Sequence, residues 1–77
     1  MNNSEKIKIT FIQIGQHVQK LREERNMSIK ELSEKTGIRK EYLRKIEQGI
    51  AYGVLLEKHF SKIANAFNLK LSELFNY

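Results

Sequence analysis

The stretch Met27–Gly49, MSIKELSEKTGIRKEYLRKIEQG, constrains this chain more than any other. Ser28 and Glu31 stand three residues apart, the spacing at which a serine hydroxyl and a glutamate carboxylate cap each other's backbone, so a helix starts at Ser28. Gly37 stops that helix within three turns, in the left-handed conformation that costs glycine little. A second helix begins near Arg39, carries Tyr42, Leu43 and Ile46 as its apolar members, and ends at Gly49. Leu32, Leu43 and Ile46 are spaced to clamp the two helices at a fixed crossing angle. Ser33 is small enough for close approach, and Ile38 plugs the base of the turn.

Helical periodicity also dominates either side of this stretch. Thr10 to Arg25 places Phe11, Ile14, Val18 and Leu21 three and four residues apart, with Thr10 and Gln13 spaced as a capping box. Arg22 and Arg25 suit a helix C-terminus, and Asn26 leaves the helix. After Gly49, residues 50–55 read as an irregular connection. A fourth helix follows, with Leu56, Phe60, Ile63, Ala64 and Phe67 on one face and Asn68 at its end. Ser72, preceded by Leu71, is spaced to cap a last short helix. The apolar tail (Leu74, Phe75, Tyr77) either closes the core or joins a dimer interface. Residues 1–10 form an arm or lead-in, and residues 11–77 form the domain. Lys6 to Phe11 alternates polar and apolar residues, which reads as an extended lead-in or as a short strand pairing with another protomer. The expected fold is all-α, a compact five-helix bundle.

Composition narrows the chemistry. A chain of 77 residues makes one domain with a small core. It has no cysteine, so neither a disulfide nor a thiolate is available, and no proline forces a helix to break. The longest uncharged apolar run, which ends with Gly53 to Leu56 and begins no earlier than Gly49, is far short of a membrane span, and no hydrophobic leader follows Met1, so a cytoplasmic protein is expected. His17 and His59 are the only histidines and read as surface residues, too few for a metal site. Ser28 and Ser33 lack a base partner, so no nucleophilic catalysis is expected. No catalytic residue, metal or cofactor emerges, and an enzyme is not expected. The net charge of +5 points to a polyanion. Residues 39–48 carry four basic and two acidic groups, the densest positive block in the chain.

Two short helices joined by a tight turn at Gly37-Ile38 have the spacing of a DNA-binding helix-turn-helix, whose second helix enters the major groove. The pieces IGQHVQKLREERNMS, ELSEKTGI, YLRKIEQG and KIANAFNLKLSELF occur in an order and spacing that resemble the phage-repressor/Cro-type helix-turn-helix family, also called the XRE family. The resemblance covers about residues 12–75 and implies a lambda-repressor-like bundle. It also implies a homodimer on a palindromic operator in double-stranded DNA, acting as a transcriptional regulator, commonly a repressor. Small members of this family include antitoxins, so a module that silences a partner protein is the alternative.

The resemblance places DNA contacts on Arg39, Lys40, Glu41, Arg44 and Lys45, with Tyr42 alongside. Lys40 and Glu41 fall where base edges are read and Lys45 lies one turn further on. Lysine donates to guanine and glutamate accepts from cytosine, which favours a G·C-containing half-site. Arg39 and Arg44 suit phosphates, as does the helix start at Ser28. Arg22 and Glu47 match a partly buried structural salt bridge between the first and third helices. Three departures stand out. Ile29 replaces a frequent phosphate-binding glutamine, Arg39 replaces a serine or threonine cap, and the connection IAYGVLLE is longer than usual and lacks Asn-Pro. In and beyond that connection, Tyr52, Lys58 and His59 are candidate backbone contacts.

Overall fold

A computed structural model describes the backbone of residues 3–51 and 56–76, with side chains described for residues 10–51 and 58–76. Tyr52, Tyr77 and the side chain of Leu56 lie outside the described residues. Among these, five helices and no strand are present: α1 (Asn3–Glu24), α2 (Ile29–Thr36), α3 (Lys40–Gln48), α4 (Leu56–Ala66) and α5 (Leu71–Leu74).

The first helix begins seven residues earlier than the Thr10 capping pattern suggests, and Thr10 lies inside it. The alternation over Lys6–Phe11 is neither a strand nor an extended lead-in, because its backbone is helical. Two isoleucines are too few to impose period two. Nothing between Asn3 and Thr10 blocks a helix, and β-branched residues there cost only about 0.5 kcal/mol each in helix propensity. Asn26 ends α1 with φ 51°, while the Met27 amide donates to the Arg22 carbonyl at 3.1 Å. Asn68 ends α4 in the same way at φ 59°, with the Leu69 amide on the Ala64 carbonyl at 2.8 Å. Both are the left-handed termination that asparagine tolerates.

At α2 the local reading holds. The Glu31 amide donates to the Ser28 hydroxyl at 3.0 Å, and the Ser28 amide returns a bond to the Glu31 carboxylate at 3.3 Å. Gly37 closes the helix at φ 75°. At α5 the cap lies two residues earlier than Ser72. The Lys70 amide donates to the Glu73 carboxylate at 3.0 Å, and Ser72 lies within the helix. This bond uses the backbone of the capping residue, so a lysine there serves as well as a serine.

The core is one cluster. Ile14 and Val18 from α1, Leu32 from α2, Leu43 and Ile46 from α3, Phe60, Ile63, Ala64 and Phe67 around α4, and Leu74 from α5 are all buried. Ile38 is buried beneath the turn, as its position requires. Ile29 packs on this cluster, so the residue that departs from the family pattern supports the core. Of the tail, Leu74 closes the core, while Phe75 is half exposed and meets Phe60 edge-on at 5.6 Å.

Candidate nucleic-acid interface

The geometry of α3 decides what the chain presents to a partner. Leu43 and Ile46 turn inward and are buried. At about 100° per residue, Lys40, Glu41, Arg44 and Lys45 fall within an arc of roughly 140° on the opposite side. All four are exposed, as is Arg39 at the helix start. Gln48 lies within the same arc and is exposed, and the charge pattern did not single it out because it is neutral. Tyr42 points sideways and is half-buried against His59 of α4, ring centroids 4.8 Å apart. Ser28 stands apart from this group, exposed at the start of α2 with its hydroxyl already accepting from the Glu31 amide.

Three arrangements hold α3 in place. In the turn, the Ser33 hydroxyl donates to the Ile38 carbonyl at 2.5 Å, and the Ile38 amide donates to the Thr36 hydroxyl at 3.2 Å. Thr36 in turn donates to the Leu32 carbonyl at 2.7 Å, so the buried Thr36 hydroxyl and the half-buried Ser33 hydroxyl are both satisfied. At the other end of α3, Gly15 of α1 lies against its last turn. A Cβ on Gly15 would stand 2.2 Å from the Ile46 carbonyl oxygen. Only glycine admits this approach.

The third tether is the Arg22–Glu47 pair. The Arg22 Nε donates to Glu47 Oε2 at 2.7 Å and one terminal nitrogen donates to Oε1 at 3.1 Å, a two-bond fork. The other terminal nitrogen donates to the Met27 carbonyl at 2.8 Å, which ties in the α1–α2 corner. Side-chain exposure is 13% for Arg22 and 8% for Glu47, so the pair is largely removed from water. The hydrogen bonds that Arg22 donates to the Glu47 carboxylate raise the guanidinium pKa above its ordinary value, against the opposing effect of burial, and it stays a cation at any accessible pH. Arg22 is thus committed to structure.

Neither histidine is the free surface group that the sequence suggests. The His17 Nδ1 lies 2.7 Å from the Leu74 carbonyl oxygen, joining α1 to α5. His59 is half-buried, and its Nδ1 is buried without a hydrogen-bond partner among the described residues. Both were drawn inward by packing against residues distant in sequence. Lys58 is exposed on α4.

A short helix pair with a rigid turn, and a second helix whose outer arc is charged and open, define a DNA-binding helix-turn-helix domain. The family model described as Helix-turn-helix matches residues 18–74, and the chain belongs to this family in its phage-repressor (XRE) type, a family of DNA-binding regulators. No curated protein and no solved structure matches the chain significantly. Among the described residues, no helix is long and apolar enough to cross a membrane.

Proposed function

We propose that this chain is a cytoplasmic transcriptional regulator, acting as a repressor, that binds a palindromic operator as a homodimer. Helix α3 lies in the major groove. Lys40 and Glu41 address base edges near its start, and Lys45 does so one turn on. Arg39, Arg44 and the start of α2 at Ser28 meet phosphates, with Tyr42 alongside. The observation that carries this reading is the exposed, charged arc of α3 opposite the fully packed Leu43 and Ile46. A single module makes few base contacts, so two-fold pairing on DNA is the economical way to gain specificity.

Selection against a randomised duplex library at physiological salt tests this. The expected result is an enriched palindrome, whose half-site spacing reports the dimer geometry. Lys40→Ala with Lys45→Ala should abolish the preference and leave the thermal melt nearly unchanged, because both residues are exposed. Full preference in the double variant would refute the role given to α3. No enrichment, together with a stoichiometric protein recovered from the source cell without DNA, would instead favour an antitoxin-like module.

A further inference from the structure

A hollow of about 340 Å³ lies beside the start of α3, lined by Gly37, Ile38, Arg39, Tyr42, His59 and Lys62. Its polar side chains come from the start of α3 and from α4, which are distant in sequence. Three of the six lining residues are nitrogen bases and one is a phenol, while none is a carboxylate, although nine acidic residues are present in the chain. Among the described residues neither Arg39 nor Lys62 has an ion-pair partner. The ring contact between His59 and Tyr42 fixes both walls. Arg39 supplies no side-chain cap to α3, so the positive end of the helix dipole at the rim is not offset by a capping oxygen.

We propose that this hollow binds a phosphate group, held by Arg39 and Lys62 with the Tyr42 hydroxyl as a further donor. The inference rests on the DNA-binding reading for its natural source, a backbone phosphate flanking the groove that α3 enters. The same chemistry accepts a free phosphate. Lys62 is the residue this adds, since it lies on α4, outside the helix-turn-helix. A phosphate seated there fixes the position of α3 along the duplex without reading sequence.

The test compares wild type with Lys62→Gln, and with Lys70→Gln as a control for losing one charge elsewhere. Affinity for a random-sequence duplex is measured by fluorescence anisotropy across a salt series. Each phosphate contact contributes about 0.9 to the slope of log affinity against log salt, so Lys62→Gln should flatten the slope by about that much. Lys70→Gln should leave it nearly unchanged. In parallel, inorganic phosphate is titrated into the free protein, with chloride as the reference, and backbone amide shifts are followed by NMR. Saturable shifts around Tyr42, His59 and Lys62 that vanish in Lys62→Gln, with no change in salt slope, would assign the hollow to a free phosphate. Equal slopes for the two variants and no saturable shift would overturn the proposal and leave the role of α3 intact. Should wild type not bind duplex at all, the DNA reading fails and the phosphate titration alone decides the site.

Discussion

Gly15→Ala offers the sharpest test of how α3 is held, because the expected sign reverses the usual one. In an open helix interior, replacing glycine by alanine stabilises by about 1 kcal/mol. Here the new Cβ would lie 2.2 Å from the Ile46 oxygen and 2.8 Å from the Glu47 oxygen, where ordinary contact begins at 3.4 Å. Both obstacles are backbone atoms of α3, which no rotamer change moves aside. Helix α1 must therefore withdraw from α3 by about an ångström, loosening the core around Ile14 and Val18. Overpacking of this kind costs about 1–3 kcal/mol. Withdrawal also stretches the Arg22–Glu47 fork, and weakening such a bond costs about 1 kcal/mol more. Set against the gain in propensity, the net loss is about 2 kcal/mol. For a domain of this size that lowers Tm by about 8–16 °C. Thermal and urea unfolding followed by circular dichroism measure it, with the exposed neighbour Gln16→Ala expected to stay within about 0.5 kcal/mol of wild type. A Gly15→Ala variant as stable as wild type, or more stable, would refute the close approach of the two helices.

Two further outcomes follow from the same geometry. Glu47→Ala leaves the Arg22 guanidinium with the Met27 carbonyl as its one hydrogen bond among the described residues and the Glu23 charge nearby; breaking a fully buried pair costs about 3–5 kcal/mol, and residual exposure with the Glu23 charge reduces this to about 2 kcal/mol in urea unfolding. A loss no larger than that of the exposed Glu34→Ala would show that the pair contributes nothing. Gly37→Ala and Gly49→Ala both force a side chain into the left-handed region, at about 1–2 kcal/mol. Gly37 has open space around it, whereas a Cβ on Gly49 would meet the Ile12 Cα at 2.6 Å, so Gly49→Ala should lose at least about 1 kcal/mol more. Equal losses in parallel melts would contradict the packing of α1 on the end of α3.

What the sequence made legible was whatever is decided locally. Ser28, Glu31 and Gly37 act within one helix, so their spacing suffices to bound α2. Leu43 and Ile46 announce the inner side of α3 and thereby its outer arc. The start of α1 was not legible, because helix continuation across Asn3–Thr10 is marked only by the absence of anything that stops it. The α5 cap misled for a different reason, since a glutamate side chain reaching a backbone amide asks nothing of the residue it caps. Gly15 had no local signature whatever: the need for glycine arises from a carbonyl on another helix. The place of Lys62 beside Arg39 had none either, since it exists only after α4 has packed against α2.

The two ends of α3 are secured by different physics, and this bears on how it can meet DNA. Its C-terminal end is fixed by contacts that tolerate no displacement: the Gly15 approach, the buried Arg22–Glu47 fork and the left-handed Gly49. Its N-terminal end rests on the buried Ile38, the Ser33 and Thr36 hydroxyl bonds of the turn and the Tyr42–His59 ring contact, with Arg39 supplying no side-chain cap. A serine or threonine at residue 39 would satisfy an amide internally and stabilise the domain by about 1 kcal/mol. Arginine forgoes that and keeps a cation at the positive end of the helix dipole, where like charges repel. Glu41 in the first turn offsets part of this repulsion, and a bound anion relieves the rest. The same feature that weakens α3 in isolation therefore favours its complex, and it does so at the end of the helix where base edges and flanking phosphate are proposed to meet.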